Sequence, residues 1–334
     1  MFFKGKKILV IGGTGTIGKS IVKSILKEAP SVIRIFSRDE FKQFHFQNEL
    51  GMRDNVRFLI GDVRDYERVY TAMEDVDYVL HLAAMKHVSS CEYNPFEAVL
   101  TNVQGTYNVI KAANSQGVKK VIFTSSDKAI SPTNTYGATK LTAERLISSA
   151  EYSKGKRNTI FASVRFGNVM GSRGSVIPLF KEQILENKKI TVTDHKMTRF
   201  MMTLSEATEL TLKALQEAKG GEVFVLKMPV IQIGNLAEIV VEETCNKYSL
   251  EVNEITIEEI GLRPGEKMYE ELMTYDESKT ALELPNMYVI PGLYQKELNY
   301  KDVKMAKQST YSSMNQNPLS LEELRQLLIN EQLI

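Results

Sequence analysis

The segment KILVIGGTGTIG, residues 7–18, constrains the fold more than any other stretch. A short apolar run reads as a buried strand, Gly12, Gly15 and Gly18 as a tight turn, and Thr16 to about Lys27 as a helix. Glycine permits both the turn and the close approach of backbone to a pyrophosphate, and a helix N-terminus presents free N–H groups to its charge. A glycine triplet alone is weak evidence. This one follows a strand, opens a helix and heads a run of similar units, which points to a dinucleotide site.

The run continues with strands at SVIRIFSR, NVRFLIGD, VDYVLHLAA, KKVIFTSS and NTIFASVRFGN. Helices are expected from about Pro95 to Ser115 and over TYGATKLTAERLISSA. Strands alternating with helices imply right-handed crossovers and a parallel sheet buried on both faces. The expected fold class is α/β: a Rossmann-like, doubly wound parallel sheet over residues 1–170. A smaller mixed α/β substrate lobe is expected over 171–334, with segments interleaved. There RGSVIPLFKEQILEN, LSEATELTLKALQEA and IGNLAEIVVEETCNK read as helices, and EVFVLK and NEITIEEI as strands. The tail SLEELRQLLINEQLI reads as an amphipathic helix packed on the body or on a partner subunit.

Composition excludes several classes. The chain has 334 residues, 43% hydrophobic and 25% charged, and 42 basic against 41 acidic residues leave a net charge of +1. No basic run suggests nucleic acid. Cys91 and Cys245 form no disulfide framework, and four histidines make no ligand cluster, so no metal site and a reducing cytoplasm are expected. No apolar segment approaches the roughly 20 residues that span a bilayer. The start MFFKGKKILVIGG lacks a cleavage pattern, so no signal peptide is expected.

The end of the second strand separates the nicotinamide cofactors, because an acid there bonds the ribose 2′-hydroxyl of NAD and a base suits the 2′-phosphate of NADP. The sequence reads FSRDEFKQ: Ser37 and Arg38 occupy the turn, with Lys42 one helical turn on. Asp39 and Glu40 follow Arg38 and can point outward, so NADP is expected. Arg38 and Lys42 would equally suit a solvated basic surface. Asp62 stands where such sheets meet the adenine, and it would equally cap the next segment.

Tyr136 and Lys140, spaced Tyr-x-x-x-Lys, share a helix face. A phenol titrates near pH ~10, and a nearby ammonium and a cationic nicotinamide ring favour its phenolate. Tyr136 could then accept the proton of an alcohol being oxidised, with Ser126 as its hydroxyl partner. Asp127 and Lys128 add a second acid and base just upstream.

This combination resembles the extended short-chain dehydrogenase/reductase superfamily. AAMKHV, SSDKAISPTNTYGATK, VRFGNVMGSRGSVIPLF, MTRF and RPGEKMYEEL together resemble its polysaccharide-biosynthesis branch, from Lys7 to about Glu271. Soluble members of that branch include the C5-inverting UDP-N-acetylglucosamine 4,6-dehydratases. The resemblance implies UDP-N-acetylglucosamine as substrate and a homo-oligomer, dimer or hexamer. It implies that Lys128 is the base at C5 and Asp127 the acid at C6, where retaining relatives carry an Asp-Glu pair. Lys128 would be neutral and Asp127 protonated. Further cofactor contacts are implied at Thr14, Thr16, Ile17, Val63, Ala83, Lys86 and Val169. Sugar-nucleotide contacts are implied at Lys86, Asn168, Arg173, Arg199 and Arg263. Tyr136 stands where a related group has methionine, which argues for the ordinary oxidation step, and Met201 stands where many relatives carry tryptophan. Two rival readings remain: a UDP-sugar 4-epimerase, which needs no Asp-Lys pair, and a non-catalytic nucleotide sensor.

Overall fold

The computed structural model describes residues 1–172, 174–292, 300 and 303–334. Six strands form the expected parallel sheet: β1 (Lys7–Ile11), β2 (Val32–Ser37), β3 (Val56–Ile60), β4 (Tyr78–His81), β5 (Lys120–Ser126) and β6 (Ile160–Phe166). Their order is β3-β2-β1-β4-β5-β6, with every neighbouring pair parallel. The order reverses between β1 and β4, so a crevice opens beyond the C-terminal ends of the strands at that point.

The strands are continuous apolar runs because both faces are covered. Ile8, Leu9, Val10 and Ile11 are all fully buried. Successive side chains on a strand point to opposite faces. Ile8 and Val10 join a core that includes Ile21, Val22 and Ile25 of helix Thr16–Leu26, while Leu9 and Ile11 join one that includes Val109 and Ala113.

The chain beyond residue 171 is interleaved with this sheet. Val223–Leu226 pairs parallel with β6, and Met287–Ile290 pairs antiparallel with Val223–Leu226. A separate core joins Ile177 and Phe180 of helix Val176–Asn187, Leu236 and Val240 of helix Ile233–Tyr248, and Leu324 and Leu328 of helix Leu321–Asn330. The tail helix therefore packs on the body, where Arg325 also pairs with Glu242 and Glu243. Among the described residues, no helix is long and apolar enough to cross a membrane.

Two local features depart from the sequence reading. Helix Glu40–Leu50 connects β2 and β3 without an apolar stripe: Phe41 and Phe44 are exposed, and only Gln43 and Phe46 are buried. The helix expected from Pro95 to Ser115 is interrupted by a π-helical turn at Val99–Gln104. In that turn Asn102 accepts from Met85 N–H at 2.8 Å and donates to Met85 O and Thr139 Oγ1, both at 3.0 Å. The turn thus fastens the loop after β4 to helix Thr135–Ser153.

Arg165, on β6, is fully buried. It donates to Glu144 at 2.6 and 3.0 Å, to Glu277 at 2.7 and 2.9 Å, and to Leu272 O at 2.9 Å. Removing one member of a buried ion cluster strands the others, so Arg165→Leu should cost about 3–5 kcal/mol in urea unfolding at pH 7. Burial alone would raise the Glu277 carboxyl, but Arg165 outweighs it and holds it below its ordinary 4.5. A depressed carboxylate stabilises the fold above its ordinary value and loses that contribution as pH falls. The gap between wild type and Arg165→Leu should therefore narrow as pH drops below about 4.5.

Candidate active site

Strand β5 ends at Ser126 and passes into a 3-10 turn, Asp127–Ala129. Asn134 then caps helix Thr135–Ser153 by accepting from Gly137 N–H at 2.8 Å. Gly137 lets the helix start press on the turn, since a Cβ there would lie 2.0 Å from Lys128 O. Tyr136, in the first helical turn, is thereby brought against Ser126 and the Asp127–Lys128 pair.

Ser126 Oγ donates to Asp127 Oδ1 at 2.8 Å, and Lys128 Nζ lies 3.1 and 3.3 Å from the two Asp127 oxygens. Tyr136 is 9% exposed. Burial raises its phenol above its ordinary value, and the downward pull of the Ser126 hydroxyl and the Lys128 ammonium does not offset this, so the phenolate expected from the sequence is not favoured here. Lys140 is 2% exposed and turns its ammonium to Thr124 O and over the Phe123 ring. Burial lowers it to about 7. The positive charge that acts on Tyr136 thus includes Lys128, which sequence reasoning had assigned only to C5.

The expectation that Lys128 be neutral is not met here. Burial would lower its amine, but Asp127 and Glu270 outweigh burial and raise it above its ordinary range. Glu270 Oε1 lies 3.5 Å from Lys128 Nζ and 3.9 Å from Arg199 Nε. Sequence reasoning missed Glu270, although it lies inside the quoted RPGEKMYEEL segment. Its own carboxyl is pushed up by burial, against the pull of Lys128.

Lys128 and Glu270 share a cavity of about 180 Å³ with Asn168, Arg199 and Lys267. Arg199 is anchored by donating to the carbonyls of Thr198 at 2.8 Å, Lys267 at 2.8 Å and Met268 at 3.3 Å. Asn168 donates to Phe200 O at 3.2 Å. Lys267, also unforeseen, donates to Ile130 O at 3.0 Å and Ser131 O at 2.6 Å. Arg263 is exposed and does not line this cavity. Arg173 lies outside the described residues. Cys91 is fully buried, packed with Ala98 and Tyr136, and burial raises its thiol.

At the glycine turn, Gly12 adopts φ +81°, and a Cβ there would come 2.8 Å from Ala83 N. A Cβ on Gly18 would come 2.6 Å from Gly12 O. Gly15 is exposed and leaves the first turn of helix Thr16–Leu26 without a side-chain cap. Bare N–H groups at a helix start fit a diphosphate. Thr14 is buried there, with Thr16 and Ile17 partly exposed. Val63 is buried in the core, Ala83 packs beside it, Val169 is 8% exposed, and Lys86 stands in the loop after β4.

At the end of β2, Ser37 accepts from Gln43 Nε2. Arg38 is exposed, 3.5 Å from Asp62. Asp62 is also held by Arg64 Nη2 at 2.8 Å and turns the chain by accepting from Arg64 N–H at 2.9 Å. Asp65, not Asp62, caps the next helix. Asp39 caps helix Glu40–Leu50 and pairs with Lys42 at 2.8 Å, so both of these charges have local work.

Comparison with known proteins narrows the assignment. Pen from Bacillus thuringiensis, solved by X-ray crystallography, matches with a TM-score of 0.95 and 64% identity over 100% of both chains. An inverting UDP-N-acetylglucosamine 4,6-dehydratase of Campylobacter jejuni is 41% identical, covering 96% of each chain. A UDP-glucose 4-epimerase of Rickettsia bellii is also 41% identical, covering 98% of this chain and 96% of its own. The polysaccharide biosynthesis protein family matches residues 8–292, and the chain belongs to that family.

Proposed function

We propose that this protein is an NADP-dependent UDP-N-acetylglucosamine 4,6-dehydratase that inverts C5 and makes a 4-keto-6-deoxy-β-L-arabino sugar nucleotide for surface glycan or protein glycosylation. The observation that carries this reading is the Asp127–Lys128 ion pair beside Tyr136, with Lys128 at the cavity wall. A 4-epimerase needs only the tyrosine; the name of the Rickettsia bellii relative keeps that reading as the alternative.

When bound, the nicotinamide dinucleotide supplies a reversible two-electron oxidation of the sugar. Glycine-turn N–H groups would hold its diphosphate, and Arg38 its 2′-phosphate. Tyr136 takes the C4 hydroxyl proton, steadied by Ser126. Once C4 is a ketone, the C5 proton is acidic. One proton moved across the 3.1 Å contact from Lys128 to Asp127 turns the observed ion pair into a neutral acid and a neutral amine. Lys128 then removes the C5 proton, and Asp127 gives its proton to the departing C6 hydroxyl, which leaves as water. Such positioned proton transfers contribute about 10²–10⁴-fold each. Asn168, Arg199 and Lys86 are assigned to the sugar nucleotide.

Three measurements test this. Arg38→Ala should weaken NADP binding roughly ten- to a hundredfold and NAD binding far less, as expected for loss of a charge-assisted bond. Calorimetry giving equal losses for both cofactors would remove Arg38 from the 2′-phosphate. Tyr136→Phe should abolish oxidation at C4, whereas Lys128→Ala should still show transient reduced-cofactor absorbance without product. Equal product from wild type and Lys128→Ala would remove Lys128 from the mechanism. In deuterated water, early product spectra should show deuterium at C5 and L-arabino coupling constants. A D-xylo product from the outset would end the inverting assignment and leave the dehydratase reading standing.

A further inference from the structure

Glu270 lies far along the chain from Lys128 but is set with care. Its N–H donates to Ser313 Oγ at 3.0 Å, and its carbonyl accepts from Ser313 N–H at 2.9 Å. Its side chain is only 4% exposed yet borders the cavity. A buried carboxylate is retained at such a place only when it is paired. Here its cation is Lys128, with Arg199 behind it.

We propose that Glu270 is a positioning residue for Lys128: with Asp127 it forms a two-carboxylate clamp that holds the ammonium at the cavity wall and keeps it charged. Lys128 is faced by Asp127, Glu270, Arg199 and Tyr136, and Glu270 in turn by Lys128, Asp127, Arg199 and Lys267. Each charge in this cluster feels the others at close range, so the cluster binds its protons as a unit. Burial favours a neutral amine on Lys128, and the carboxylates reverse that preference. Arg199 opposes the carboxylates, and they outweigh it as well. Removing the Glu270 charge should therefore let the amine lose its proton at lower pH.

The Lys128 side chain is 23% exposed, which admits a small reagent. Lys128 can be titrated by competitive acylation of the native protein across pH, read by mass spectrometry of its peptide. In the wild type its midpoint should lie above that of the exposed surface lysines. Glu270→Gln should bring it down by roughly one to three pH units, while Glu270→Asp keeps the charge and stays near wild type. A wild-type midpoint at or below that of the exposed lysines overturns the clamp without any variant. Equal midpoints in wild type and folded Glu270→Gln overturn it as well.

The second readout rests on the dehydratase reading. The active pair carries one proton, so the falling, alkaline limb of kcat/KM against pH should move to lower pH in Glu270→Gln. A uniformly lower rate with an unmoved limb would mean a purely structural role and sink the proposal. Wild type that makes no 4-keto product from UDP-N-acetylglucosamine overturns the dehydratase, and the acylation midpoints still decide the clamp.

Discussion

The buried guanidinium of Arg165 ties together the parts on which the site depends. Glu144 belongs to helix Thr135–Ser153, which carries Tyr136 and Lys140. Leu272 and Glu277 belong to the segment that follows Glu270. Arg165 itself lies on β6, in register with β5, whose last residue is Ser126. One side chain thus joins the sheet, the helix of the tyrosine and the segment of the opposing carboxylate. Arginine suits this role because its planar fork can serve two carboxylates and a carbonyl at once.

The segment 263–270 is held to the turn after β5 a second time. Thr133 and Asn134 both donate to Gly265 O at 2.9 Å, and Lys267 donates back to the carbonyls of Ile130 and Ser131. These contacts close one wall of the cavity with polar backbone that would otherwise need water. They also explain why a carboxylate so remote in sequence can meet Lys128.

The sheet and the glycine turn were legible because burial on both faces writes a continuous apolar run, and a tight turn writes glycine. Helix Glu40–Leu50 was not, since its rings at Phe41 and Phe44 face outward and erase the helical period. The Asp127–Lys128 pair could be read because its members are neighbours in the chain. Glu270 and Lys267 could not, because their meaning comes from tertiary contacts alone. A motif of mixed charge such as RPGEKMYEEL does not say which member turns inward: Arg263 is exposed, and Glu270 is buried. Asn102 was hidden for the same reason, inside a helix whose π turn leaves no signature in spacing.

Two lysines of the site shift in opposite directions, and their company explains it. Desolvation penalises the charged form of each. Lys128 has Asp127 at 3.1 Å and Glu270 at 3.5 Å, and these outweigh the penalty. Lys140 has only Glu144 to raise it, and Glu144 already gives both oxygens to Arg165 at 2.6 and 3.0 Å. Its remaining partners, the Thr124 carbonyl and the Phe123 ring, carry no full charge. Lys140 is therefore left to titrate at about 7. The guanidinium that fastens the fold also withholds a counter-charge from the site, so the lysine one turn from Tyr136 can change charge near neutral pH while Lys128 stays an ammonium until its carboxylates release it.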